Sequence, residues 1–382
     1  MLDQPIDSVD EATLAQLVAN QVAERRDLDF KRDLHGRKDA EVKEFLADVT
    51  SLANAQGGDL IFGIEEEGGI AVALRGVEVT DVDAEILRLE SSIRSGVDPR
   101  LIGLRTQWVP LASGKGALVI RVPAGLAAPH RVIFGNSNRF YNRNSRGKYE
   151  MDLHELRHSF TQSEQLPLRF RQLHIQGINA ARGIDMPFAI DADPTAVVSV
   201  IPLAHFREER DIPITRDHAL TPIKTSGYSS INMIEGVVLH NPIDAATGTV
   251  PSFAVTHRSG RTDVAWTIGG VRTSNSNDEL RLVFASSFEE GLLDSTVATQ
   301  TRLRQFGVEG PWVILVSVYG VKGYFMALSN DGKGTRTAFR DQALLGEIRA
   351  DHIDEAALLP FLKNFWLLFG EHRPEGRPIG QN

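Results

Sequence analysis

Cysteine is missing from all 382 residues. That excludes disulfides, thiolate nucleophiles and cysteine-built zinc sites, and a cytoplasmic home is the expectation. Positive charge is also short: 41 Lys and Arg stand against 50 Asp and Glu, a net charge of −9. Such a chain is no indiscriminate binder of polyanions, so any nucleic-acid contact must come from a local patch. No apolar run reaches the roughly 18–20 residues that span a bilayer, so no membrane partner is expected. The start, Met1-Leu-Asp-Gln-Pro-Ile-Asp7, lacks the basic-then-apolar layout of a signal peptide. The G-x-x-x-x-G-K-[ST] phosphate loop, the G-x-G-x-x-G turn after a strand and the G-x-S-x-G elbow are all missing. Ser113-Gly-Lys-Gly116 lacks the leading glycine, which argues against ATP hydrolysis by that route. No internal repeat is present.

What is present is ordinary for a globular chain, with 42% hydrophobic and 24% charged residues. The length suits two domains. The stretch 24–66 organises the first. In residues 27–31, Leu28 and Phe30 alternate with Asp27, Asp29 and Lys31, the pattern of a half-buried strand with a charged face. Val42, Phe45, Leu46, Val49, Leu52 and Ala53 recur at helical spacing behind Asp39, a suitable N-cap. Gly57-Gly58 ends that helix, and Leu60–Ile64 reads as a second strand running into Glu65, Glu66 and Glu67. If the two strands are neighbours, Glu24, Asp29, Lys31 and Glu65 come close together. A trio of carboxylates suits hard cations such as Mg²⁺ or Mn²⁺, which prefer oxygen ligands and can activate water against a phosphodiester. Lys31 would then orient the nucleophile or neutralise developing charge. The plainer alternative is a set of solvated charges at strand ends.

The second informative stretch is 129–149. It holds His130, Arg131, Arg139, Arg143, Arg146 and Lys148, interleaved with Phe134, Phe140, Tyr141 and Tyr149, and no Asp or Glu. Such a run contacts phosphates through arginine and stacks bases on aromatics. The alternative is an ordinary hairpin with aromatics in the core and arginines in water.

At these residues the chain resembles the Schlafen-type AlbA-like family. The shared pattern is Glu24-x4-Asp29-Phe30-Lys31, Ala53-Asn54-x-x-Gly57-Gly58 and Gly63-Ile64-Glu65, followed by Arg121-Val-Pro123, Pro129-His130 and Arg139-Phe-Tyr-Asn-Arg143. The resemblance covers about residues 1–160. Two positions depart from it: Asp29 stands for Glu and Glu65 for Asp. It implies an α/β domain with a metal-dependent RNase site whose ligands are Glu24, Asp29 and Glu65, with Lys31 as a further catalytic residue. It also implies Mg²⁺ or Mn²⁺, a structured substrate such as tRNA, and a role in defence or stress response. Arg131, Arg139, Tyr141, Arg143, Arg146 and Lys148 would grip the nucleic acid, RNA or DNA. Many proteins with this domain are described as DNA-binding regulators, so a non-catalytic binding module with a sensing or dimerising second half is the alternative. Schlafen cores embrace RNA with two related lobes. This chain carries one recognisable lobe, which suggests a homodimer.

His154-Glu155-Leu-Arg-His158 copies the zinc-protease string. Asp152-x-x-Glu155 is a capping box, however, which assigns Glu155 to the first helical turn. Arg157 also lies where a buried metal helix prefers an uncharged residue, so the zinc reading is rejected.

The first domain is placed at 1–162, with a boundary at Thr161–Pro167, and the second at 168–382. Expected elements there are a helix over 168–182, strands at 197–201 and 312–319, a hairpin over 253–268 about Ser259-Gly260, and a helix following 282–285. Ala356–Phe369 is very apolar, either a core helix or a dimer interface. Strands and helices mix without regular alternation, so the fold class is α+β.

Overall fold

The computed structural model describes residues 2, 4–144, 147–190, 194–206, 211–223, 227–273, 279–308, 310–327 and 334–380. The chain is mixed α+β and divides into two compact units, built mainly from residues 1–166 and 167–382.

In the first unit, helix α1 (Glu11–Ala19) is capped by Asp10, whose side chain accepts from Thr13 N–H. A separate 3₁₀ turn, Ile6–Ser8, precedes it. Strand β1 (Leu28–Lys31) leads to helix α2 (Asp39–Asn54), whose N-cap is Lys38 rather than Asp39. Strand β2 (Gly58–Phe62) follows and pairs parallel with β1, with Leu28 opposite Asp59. Gly57 sits at φ 80°, and a Cβ there would lie 2.7 Å from the Ala124 nitrogen. Only glycine permits so tight an approach.

Strand β3 (Ile64–Glu67) pairs with β4 (Ile70–Leu74) as a separate hairpin. Helix α3 (Val82–Gly96) is followed by a short strand, β5 (Val97–Asp98). Residues 101–104 form no strand; the next strand is β6 (Arg105–Pro110), which turns into β7 (Gly116–Val122). The main sheet has the order β1-β2-β7-β6, which puts β1 at an edge. Strands β8 (Arg131–Val132), β9 (Arg139–Asn144) and β10 (Gly147–Glu150) join β5 in a second sheet.

Two apolar clusters hold this unit. Leu28, Phe30, Ile61 and Val119 pack with Leu14 and Ile6. Leu60, Phe62, Leu118 and Ile120 pack with Phe45, Val49 and Leu52 of α2 and with Leu89 of α3. Alternation along β1 therefore sends Asp29 and Lys31 the opposite way from Leu28 and Phe30.

Helix α4 (Leu153–Ala181) runs unbroken through Pro167, so the stretch 161–167, read as a domain boundary, is helical. The apolar residues Leu166, Phe170 and Ile178 are buried along it. Their burial outweighs the single amide that proline removes.

The second unit is built around a seven-stranded antiparallel sheet. In spatial order its strands are Ser229–Asn232, Gly236–His240, Ser252–His257, Thr262–Thr267, Thr195–Pro202, Trp312–Tyr319 and Gln342–Ala350. The expected hairpin turns at Gly260, whose φ is 85°. Helix α5 (Ala285–Arg304) and helix α6 (Glu355–Leu368) meet through Phe288 and Phe365, stacked at 4.0 Å. The apolar residues of α6, Leu358, Phe361, Leu362, Phe365 and Trp366, are buried within this unit, as is Phe369 just beyond it. That face is core and supplies no argument for a dimer.

A buried polar chain threads the same unit. Ser199 Oγ donates to Asp263 Oδ1 at 2.5 Å, leaving its lone pair to accept from His174 Nδ1 at 2.9 Å. His174 Nε2 then accepts from the Ser317 hydroxyl at 2.8 Å. Asp263 also takes Arg261 Nε and His257 Nε2, both at 2.9 Å. All of the polar groups are satisfied and the serines are buried, which marks a structural network rather than an open nucleophile.

Candidate nucleic-acid interface and acid–base centre

Glu24 enters just ahead of β1, where its N–H donates to Gly69 carbonyl oxygen at 2.6 Å. Its Oε1 accepts from Phe30 N–H at 2.8 Å. The Glu24 carboxyl thereby satisfies an amide of the edge strand and lies against Asp29. The two side chains share a hydrogen bond. Burial and that bond to Asp29 push Glu24 up to about 7, so Glu24 holds the shared proton. Burial works against the charged form of Asp29 too. The Glu24 bond, Lys31 and Arg143 outweigh it and hold Asp29 below the usual carboxylate range.

Lys31 Nζ sits 3.0 Å from both Asp29 oxygens and 3.7 Å from Asp48 Oδ2. Burial alone would lower the Lys31 ammonium; Asp48 and Asp29 more than offset it, and it is raised. Asp48, on α2, also accepts from Lys148 Nζ at 2.6 Å. Burial keeps Asp48 above its ordinary value despite the two lysines. Arg143 is 3% exposed, with Nη1 3.3 Å from Asp29 Oδ2. Its Nε and Nη1 lack hydrogen-bond partners among the described residues.

The hairpin is fixed onto α2 by Asn54. Its amide donates to His130 and Tyr141 carbonyl oxygens, both at 2.8 Å, and its oxygen accepts from His130 N–H at 2.6 Å. The two stretches singled out in the sequence thus meet at one place.

Glu24, Asp29 and Lys31 come together as expected from their strand, and Arg143 and Lys148 join them. Glu65 is placed differently. Gly63, at φ 102°, ends β2, and Glu65 goes with the β3–β4 hairpin. There its oxygens lie 2.8 Å from Arg75 and 3.6 Å from Arg32. The Arg75 hydrogen bond holds Glu65 below its ordinary value. Arg131 pairs with Asp98 at 2.9 Å and Arg139 with Glu150 at 2.6 Å. Tyr141 is half-buried against the α2 core. Arg146 lies outside the described residues.

Three residues escaped the sequence reading. Asp48 was legible in principle, as a charged residue inside the wholly buried run from Phe45 to Asn54. Arg26 and Lys43 flank the hairpin in space and make no ion pair among the described residues. Arg26 acts electrostatically on Tyr149, and Lys43 approaches Gly135. Burial and the Glu155 carboxylate push the Tyr149 phenol up to about 12, so Tyr149 remains a donor to Glu155 at 2.6 Å. Glu155 also accepts from Asp152 N–H at 3.0 Å, and Asp152 from Glu155 N–H at 2.8 Å. The capping box is real, and it employs the glutamate of the zinc-like string.

Among the described residues, no three of His, Asp or Glu converge so as to hold a metal ion. The donor set explains why. Asp29 and Asp48 oxygens face lysine and arginine nitrogens, Glu24 Oε1 takes a backbone amide, and Glu65 faces arginines. In this arrangement the residues do not fit a divalent cation.

The fold and site define a mixed α+β domain with a basic hairpin laid over an internally neutralised acidic centre. Residues 24–152 match the family described as Schlafen, AlbA_2, so this part of the chain is a Schlafen/AlbA-like domain, followed by a further domain. No curated protein matches the chain. A crystal structure of the DIP2311 protein from Corynebacterium diphtheriae is similar at 22% identity and a TM-score of 0.26, over 37% of this chain and 29% of that one. The chain thus spans under a third of that protein. The N-terminal domain of a RecG-related protein from Nitrosomonas europaea is similar at 22% identity and a TM-score of 0.27, over 37% of this chain and 89% of that domain.

Proposed function

We propose that the Schlafen/AlbA-like domain binds nucleic acid, and that the hairpin and the edge of α2 beside it form the contact surface. One observation carries this reading. The ion pairs Arg143–Asp29 and Lys148–Asp48 bring the basic, aromatic stretch onto the strand–helix–strand motif. They leave Arg26 and Lys43 beside it without a counter-ion among the described residues. Those two cations, with Arg139 at the rim, are the phosphate contacts, and Arg143 and Lys148 are the scaffold that sets them. RNA, tRNA-like or other, is the first substrate to test, and duplex DNA the second.

A second reading, metal-dependent cleavage of structured RNA, is favoured by the closeness of the Glu24 and Asp29 carboxyls. It would need Lys31 and Arg143 to release Asp29. Gel shifts of total tRNA and of duplex DNA, run with Mn²⁺ and with EDTA, separate the readings. Binding without cleavage in both conditions is expected. Cleavage in Mn²⁺ alone supports the nuclease, and absence of any shift contradicts both.

A further inference from the structure

A divalent cation needs carboxylate oxygens at about 2.0–2.6 Å with their lone pairs free. Here an ammonium nitrogen stands in their midst. Lys31 Nζ bridges Asp29, at 3.0 Å from each oxygen, and Asp48, at 3.7 Å. Lys148 takes the other Asp48 oxygen at 2.6 Å, and Arg143 adds a third positive charge 3.3 Å from Asp29. Three carboxylates, Asp29, Asp48 and Glu44, the last also in contact with Lys148, are therefore met by three bases from the same chain. A metal bound to Asp29 would come within a few ångströms of the Lys31 ammonium. Charges that close repel by several kcal/mol even at a near-surface effective dielectric constant.

We propose that Lys31 is the resident cation of this centre: its ammonium occupies the place between Asp29 and Asp48 that a divalent ion would need. The native chain then takes no Mg²⁺ or Mn²⁺ there, and removal of the Lys31 charge creates a divalent site. Lys31 is half-exposed, so neutral replacements are sterically mild.

The test is a Mn²⁺ titration of the full chain followed by loss of the free-ion EPR signal. Native protein, Lys31→Gln and Lys31→Gln/Asp48→Asn are compared, with circular dichroism to confirm folding. Native protein is expected to show no saturable loss. Lys31→Gln should bind one equivalent, at least tenfold more tightly, and the double variant should return to native behaviour. Should Lys31→Gln not fold, Lys31→Met, which keeps the aliphatic stem, carries the same expectation. Native protein binding one Mn²⁺ that Asp29→Asn abolishes would overturn the proposal. So would a folded Lys31 variant that gains no site. The titration contains no nucleic acid, so its outcome is independent of the binding reading.

Discussion

Lys148 Nζ reaches Asp48 Oδ1 at 2.6 Å across 100 residues of sequence. This pair ties the β9–β10 hairpin to α2 and, through Lys31, to β1. It is mostly buried, so removing one partner leaves the others poorly compensated. Asp48→Ala should destabilise the domain by about 1–2 kcal/mol, read as a lower midpoint in urea. An unchanged midpoint would make the pair dispensable.

Salt dependence separates contact from scaffold. Arg26→Ala and Lys43→Ala should each weaken binding of a labelled RNA and reduce the log–log salt slope by about 0.7–0.9. Arg143→Ala, at a buried position, should lower thermal stability and leave the slope alone. A slope lowered by Arg143→Ala but not by the other two would reverse these assignments.

Glu24 supplies a pH test. Its folded pKa is raised from 4.5 to about 7 by burial and by the hydrogen bond with Asp29. Below 4.5 it is protonated in folded and unfolded chains alike and has no effect. As pH rises from 4.5 through 7 the unfolded chain ionises first, so this group's contribution to stability falls. Glu24→Gln keeps the neutral form at every pH. It should therefore gain stability relative to native protein as pH passes from 5 to 8. A constant difference across that range would contradict the shared proton.

His174 works in the opposite sense, in the second unit. Burial lowers it from 6.5 to about 4. Its contribution is complete above 6.5 and is lost as pH falls towards 4, because the unfolded chain binds the proton first. The loss amounts to an order of 3 kcal/mol. His174→Gln should flatten the acid limb of the stability curve between pH 6.5 and 4, measured by denaturant unfolding. An unaltered limb would place the acid sensitivity elsewhere.

Much of this was legible in the sequence where the signal is local. The alternation at 27–31 placed Asp29 and Lys31 on one face, the period of α2 located its buried side, and Gly57-Gly58 marked its end. The apolar run 312–319 is a buried strand as read. The misses are tertiary. Glu65 left the cluster because Gly63 breaks the strand, and one glycine does not announce which way the chain leaves. Asp48 was hidden because its partner lies 100 residues away. Leu101 and Leu104 are apolar yet lie outside any strand, and they pack on the α2 cluster from a loop. The boundary read at Thr161–Pro167 lies inside α4, whose helix continues through the proline.

Nucleic-acid binding itself is tested by fluorescence anisotropy of a labelled RNA hairpin and of duplex DNA with the full native chain, across a salt series. Saturable binding is expected at low salt, with a log–log slope of about −2 to −3 for the three cations Arg26, Lys43 and Arg139. Failure of either ligand to bind at low salt, or a slope indistinguishable from zero, would contradict it.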